Sequence, residues 1–233
     1  MQKFIIFEAQ NTSLMIPIKI SSEIQSKLPT LTLGCIEAKV KVAPGSEALN
    51  TWIEKQLDQI KVALTPETIR QMHTVKATKD AYRVLGKDPN RYRPAAESLM
   101  RRIANGKGLY QISNVVDVLN YISIKTGYSI CGYDSSLING EVVLGIGEEG
   151  EPYEGIGRGT VNIELLPVFR DESGAFGTPT SDSVRTMISE KTQNILFIFI
   201  GFAGKDELDS VLLETQKLLI EYAGAEEVET YFI

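Results

Sequence analysis

Few side chains in this sequence could serve as nucleophile, base or metal ligand. There is one histidine, His73, and there are two cysteines, Cys35 and Cys131. A metal centre of the HExxH, CxxC or multi-histidine kind cannot be assembled from that inventory within one chain, so neither metal nor cofactor is expected. A Ser–His or Cys–His nucleophile would need His73 as its base. Cys131 could be activated only if the fold carried His73 to it from 58 positions earlier. The simpler reading of His73 is a surface or capping residue, on a predicted helix with Gln71, Thr74 and Lys76. Two cysteines so far apart read as lone buried thiols in a reducing compartment.

Two glycine patterns invite a phosphate reading. Gly145, Gly147 and Gly150 spell GxGxxG, but Glu148, Glu149 and Glu151 surround them and Pro152 follows. Carboxylates repel a pyrophosphate, and no helix start follows the glycines, so this match is coincidental. Gly155-Ile156-Gly157-Arg158-Gly159 could bring backbone N–H groups and one cation to an anion. It could equally be tight turns between strands. The acids at 148–154 and 226–229 read as solvated turns with no positioned partner.

Charge is unevenly placed. Between Val75 and Tyr110 nine basic residues face three acidic ones, so this segment is +6 and the rest of a −6 chain carries −12. Tyr82, Tyr92 and Tyr110 are interleaved with the cations. Arg91, Arg93, Arg101, Arg102 and Lys107 are candidates to grip an RNA backbone, with tyrosines available to stack on bases. The competing reading is a solvated helix face paired with the acidic remainder of the protein.

The elements that must position these groups follow from periodicity and punctuation. Short apolar runs at 4–7 and 16–20 predict strands, and strict alternation from Ile36 to Val42 predicts a half-buried one. Ser46 caps a helix carrying Leu49, Trp52, Ile53, Leu57 and Ile60, and Thr65-Pro66 opens another running past Arg70. Pro94 opens a helix over 95–104, and Ser113 caps one over 114–126 that Gly127 stops. Strands are predicted at 130–133 and 142–146 with Asn139-Gly140 as a hairpin turn, and at 161–165 by alternation. A turn is expected at 171–174, a fully buried strand at 195–202, an amphipathic helix at 206–222 and a last strand at 228–232. The pattern is α+β, mixed sheets with packed helices, lacking the regular alternation of a doubly wound sheet.

With 233 residues, 43% apolar and 23% charged, the chain can bury a core without disulfides. It is expected to form a single compact domain over 1–233. The opening MQKFIIFEAQ has too short an apolar run for a signal peptide and an acid at Glu8. The longest apolar run falls well short of the roughly 20 residues that span a bilayer. A cytoplasmic protein without a membrane partner is expected.

Two segments carry more than composition. Lys87-Asp-Pro-Asn-Arg-Tyr-Arg-Pro-Ala-Ala-Glu97, followed by Arg101-Arg102, resembles the hallmark of free-standing relatives of a synthetase module. Ile112-Ser-Asn-Val-Val-Asp-Val-Leu-Asn-Tyr-Ile122, continuing to Gly132-Tyr-Asp134, closely resembles the core of the tRNA-binding editing module (B3/B4) of the phenylalanyl-tRNA synthetase beta chain. Gly150-Glu-Pro-Tyr153, Gly155-Ile-Gly157, Val168-Phe-Arg-Asp171 and Thr192 fit the same order, so the resemblance covers about 75–203, with a strand–helix extension over 1–74 and a helix plus strand over 204–233.

That resemblance implies a B3/B4-type fold, a tRNA or aminoacyl-tRNA partner, and no ligase catalytic core. In the synthetase the module hydrolyses tRNA(Phe) mischarged with tyrosine. The implied pocket candidates are Asn114, Asp117, Asn120, Cys131, Gly157 and Thr192. Asp117 and Asn120 lie three apart and could hold backbone groups, while Ser113 caps a helix whose positive end favours an oxyanion. Asp134 aligns with an acid of the family. The departures are specific: Tyr110-Gln111 replaces Arg-Pro, Cys131 replaces a histidine, and Ile198 replaces a glutamate. Hydrogen bonds that orient a water or read a tyrosine hydroxyl are lost with them, so the synthetase's own specificity is not expected. Near 177–183 the match needs an insertion. The reading is a stand-alone tRNA-binding protein hydrolysing mischarged aminoacyl-tRNA in trans. The alternative is a non-catalytic module that binds RNA or an amino-acid-like ligand.

Overall fold

The computed structural model describes residues 15–233, so the strand predicted at 4–7 lies outside the described residues. The elements run β1 (Ile18–Ile20), α1 (Ser22–Lys27), β2 (Thr32–Lys39), α2 (Glu47–Lys61), α3 (Pro66–Gln71), α4 (His73–Leu85), α5 (Ala95–Ala104) and α6 (Asn114–Thr126). Then follow β3 (Ile130–Asp134), β4 (Val142–Ile146), β5 (Glu154–Gly155), β6 (Gly159–Thr160), β7 (Pro167–Asp171), β8 (Gly174–Gly177), β9 (Asn194–Gly201), α7 (Leu208–Ala223) and β10 (Glu226–Phe232). The fold is α+β.

Side-chain caps set the helix starts. Ser46 accepts from Leu49 N, Thr65 and Thr68 form a reciprocal capping box, and Ser113 accepts from Val116 N. The helix opened by Pro66 ends at Gln71, earlier than expected, and α4 restarts at His73 because Met72 leaves helical geometry at ψ 123°.

One sheet has the order β10-β2-β9-β3, antiparallel throughout. The other has the order β1-β4-β7-β8, with β1 and β4 parallel. Strand β9 is buried on both faces, and that explains its unbroken apolar sequence. Ile195, Phe197 and Phe199 join a core with α2, α5, α6 and α7, whereas Leu196, Ile198 and Ile200 face the second sheet. The first sheet therefore lies between a helical layer and the second sheet. The predicted helix at 206–222, realised as α7, packs on α6 and β2.

Three strand expectations are corrected. The alternating strand is β2, which starts at Thr32 and stops at Lys39, and its Leu33 and Cys35 are buried on the face opposite Ile36 and Ala38. Asn139-Gly140 does not turn a hairpin, because β3 pairs with β9 while β4 pairs with β1 and β7 in the other sheet. A Ser135–Leu137 3-10 turn, capped by the Asp134 carboxylate, carries the chain across instead. Residues 161–165 form no strand: Ile163 is buried, but Leu165 sits at φ 61°.

The GxGxxG glycines lead into a loop without a helix, consistent with the coincidental reading. Gly147 has a packing role, since a Cβ there would lie 1.9 Å from the Ile163 carbonyl oxygen. No helix among the described residues is long and apolar enough to cross a membrane.

Candidate functional site

Strand register brings together two positions that the resemblance singled out. Cys131 on β3 stands opposite Ile198 on β9, and Cys35 on β2 stands opposite the same Ile198 from the other side. All three point into the apolar layer between the sheets. Cys131 is 1% exposed, and burial raises its thiol well above the ordinary cysteine range. A sealed, protonated thiol is a poor nucleophile, and His73 lies exposed at the start of α4, so a Cys131–His73 nucleophile is not supported. Where the resemblance expects a histidine and a glutamate, this fold places a thiol and a sec-butyl group in an apolar core.

A carboxyl reaches this spot from another segment. After β8 the chain turns tightly: the Thr178 hydroxyl accepts from Thr180 N and Ser181 N and donates to the Ser181 carbonyl. The turn directs Asp182 at β3. Because β3 is an edge strand, it has an outward N–H to offer, and Gly132 N donates to Asp182 Oδ2 at 3.0 Å. Asp182 Oδ1 is buried without a hydrogen-bond partner, as is the Tyr133 hydroxyl beside it. Burial pushes the Asp182 carboxyl from 3.8 up to about 7, against the downward pull of the Gly132 N–H. An acid poised there can accept or return a proton at neutral pH.

Outside this group lies a cleft of about 520 Å³ between the β5–β6 hairpin and the Val184–Thr186 turn. The residues flanking Asp182 connect it to that cleft. The Ser181 carbonyl accepts from the Tyr153 hydroxyl at 2.6 Å, and Tyr153 and Ser183 are both part of the wall. Arg185 lines it too, its guanidinium held by Asp171 at 2.8 and 3.1 Å. Sequence reasoning missed Asp182. The run Thr178-Pro-Thr-Ser-Asp-Ser183, polar between two apolar strands, was the available signal, and it falls where the resemblance needs an insertion.

The other pocket candidates are dispersed. The Asn114 carboxamide accepts from Ala43 N and donates to the Lys41 and Tyr222 carbonyls, tying three segments together on the helical side. Asp117 is buried nearby and accepts from Ile112 N, with Asn120 half-buried one turn on. Thr192 donates to Asp134 at 2.7 Å in a buried pair at the end of β3 and β9. Gly157 forms the exposed β5–β6 turn at φ 66°. Only Cys131 adjoins Asp182.

The basic segment is neither a free patch nor a face paired with the acidic remainder, because most of its ion pairs are internal. Glu97, 1% exposed, collects Lys79 at 3.1 Å, Arg101 at 2.8 Å and Arg93 at 3.7 Å. Asp80 takes Lys76 and Arg83. Lys87 is buried against the Asn162 and Glu164 carbonyls. Arg102 closes the α5–α6 loop, donating to Gly108 and Lys107 carbonyls and lying 3.6 Å from the centre of the Tyr110 ring. Arg91 and Lys107 are exposed and have no ion pair among the described residues. Ala95 N donates to the Pro179 carbonyl at 2.8 Å, which ties the start of α5, two residues after Arg93, to the loop that carries Asp182.

Comparison with known proteins gives one match to a family: residues 77–224 match the B3/4 domain. Among solved structures, an N-terminal fragment of the phenylalanyl-tRNA synthetase beta-subunit from Pyrococcus horikoshii is similar at 12% identity and a TM-score of 0.44. The alignment covers 91% of this chain and 50% of that one, so the chain spans half the length of the fragment. No curated protein matches.

Proposed function

The chain belongs to the B3/4 domain family, and from that premise we propose that it binds the aminoacyl end of a tRNA and hydrolyses the ester in trans. The observation that carries this reading is the Asp182 carboxyl, held near neutrality against β3 and one residue from the cleft wall. Ionised Asp182 takes a proton from a water, and the water oxygen adds to the ester carbonyl. The tetrahedral intermediate then collapses with loss of the ribose oxygen, which takes up the proton that Asp182 returns. No enzyme nucleophile takes part. The sealed Cys131–Ile198 pair favours a second reading, a module that holds the same ligand without turnover.

Incubation of the protein with a panel of mischarged tRNAs separates the two. Release of the amino acid from at least one of them above the no-protein background is the expected result. Background rates for all of them, with binding retained, support the second reading.

RNA approach is assigned to the unengaged cations. Replacing both Arg91 and Lys107 by Ala is expected to weaken tRNA binding and to reduce the slope of log K against log salt by about 1.5 to 2, roughly one ion per residue removed. Replacing Arg102 is expected to loosen the α5–α6 loop through lost carbonyl bonds. An unchanged salt slope in the double variant contradicts the assignment.

A further inference from the structure

A second cavity lies on the opposite side of the first sheet from Asp182, walled by α2, the α5–α6 loop and the first turn of α6. It has a volume of about 270 Å³. One half of its wall is apolar, with Ile53, Leu57, Ile103 and Leu109. The other half is acidic, with Glu54, Asp58 and Asp117 against the single cation Lys61. An anion is disfavoured there by charge.

The innermost acid is incompletely satisfied. Asp117 is 1% exposed, and its Oδ1 accepts from Ile112 N at 2.9 Å, but its Oδ2 is buried with no hydrogen-bond partner. A carboxylate oxygen sealed without a donor is costly, and the cavity is where a donor could come from. A second acceptor lies beside it. Asn50 donates its amide hydrogen to the Gly45 carbonyl, so its Oδ1 is left to accept. A Cβ on residue 45 would lie 2.7 Å from Asn50 Oδ1 and 3.3 Å from Asp117 Oδ2. Both oxygens therefore lie close together, packed against the bare backbone of Gly45, where any side chain would press on them, and both residues line the cavity.

We propose that this cavity binds a small primary ammonium compound with an aliphatic body, its head on Asp117 Oδ2 and Asn50 Oδ1 and its chain against the apolar wall. An ammonium has three donors and no acceptor, which suits two acceptor oxygens and a net negative rim. The aliphatic body follows from the opposite wall. The assignment is independent of the ester-hydrolysis reading, because the two sites lie on different faces of the sheet and share no residue.

The test is calorimetric and NMR titration of the full chain with n-butylammonium, n-butanol and butyrate, which share one body and differ in the head. Saturable binding of the ammonium alone, with shifts at the Gly45 and Ile112 amides, is the expected result. Asp117→Asn keeps an oxygen for Ile112 N and is expected to weaken binding at least tenfold. Gly45→Ala leaves Asp117 in place, puts a methyl between the two oxygens, and is expected to do the same; it decides the matter if Asp117→Asn does not fold. Equal binding of all three compounds, no saturable binding, or unchanged affinity in Gly45→Ala overturns the proposal.

Discussion

Asp182→Asn is expected to abolish ester hydrolysis and, at pH 8, to make the protein more stable. Both effects come from one feature, a carboxyl whose charge is opposed by burial. In the proposed role of general base it would contribute on the order of 10²- to 10⁴-fold, which the amide cannot supply. The stability effect has a definite sign. The folded protein holds this proton up to about pH 7, whereas an unfolded chain releases it near 3.8. Between those values the native state binds more protons, so its stability falls as pH rises and levels off above pH 7. The gap of about three pH units corresponds to about 4 kcal/mol, absent below pH 4. The Asn side chain keeps an acceptor for Gly132 N without the buried charge, so the variant should lose this pH dependence. Thermal melts at pH 4 and pH 8 measure it. A variant less stable than the parent at pH 8, or one with undiminished hydrolysis, contradicts the role assigned to Asp182.

Glu97→Ala is expected to destabilise the protein by about 3 to 5 kcal/mol, because Lys79, itself only 8% exposed, is left as a buried charge without its counter-ion. Replacing the pair together, Glu97→Leu with Lys79→Met, should recover most of the loss, since it removes the stranded charge along with the interaction. Urea denaturation of the three proteins measures this. A loss below about 1 kcal/mol for Glu97→Ala alone would show that Lys79 reaches solvent or another acceptor. The same result bears on RNA binding. Arg93 and Arg101 take their positions from Glu97, so a binding defect in Arg101→Ala can be read as phosphate contact only when the fold is intact.

The local elements were legible in the sequence because their causes are local. Ser46, Thr65 and Ser113 cap the helices they were expected to cap, and Gly127 ends α6 in the left-handed conformation. The two-sided burial of β9 was likewise visible in its unbroken apolar run. Partnership between strands was not legible. Asn139-Gly140 is an ordinary hairpin signal, yet β3 and β4 belong to different sheets, each paired with strands distant in sequence, β9 for the one and β1 and β7 for the other. Alternation at 161–165 misled because one buried residue, Ile163, produces the pattern without a strand.

Site residues divide in the same way. The resemblance placed Cys131 and Ile198 as counterparts of polar groups, and the register pairs them. Asp182 was hidden because its chemistry depends on a β3 edge N–H fifty positions earlier and on burial of its carboxyl that only the folded chain supplies. The charge count also changes meaning in three dimensions: the +6 segment spends most of its cations on Glu97, Asp80 and backbone carbonyls, leaving Arg91 and Lys107 exposed.

The base proposed for ester hydrolysis is the Asp182 carboxyl, titrating near neutrality. Its most direct test is the single-turnover deacylation rate of a responsive mischarged tRNA, measured from pH 5 to pH 9 for the parent and for Asp182→Asn. The parent rate is expected to rise with pH and to reach a plateau above about pH 7, where Asp182 is ionised, with the variant at background throughout. A rate that climbs in proportion to hydroxide without a plateau, identical in the two proteins, would contradict it.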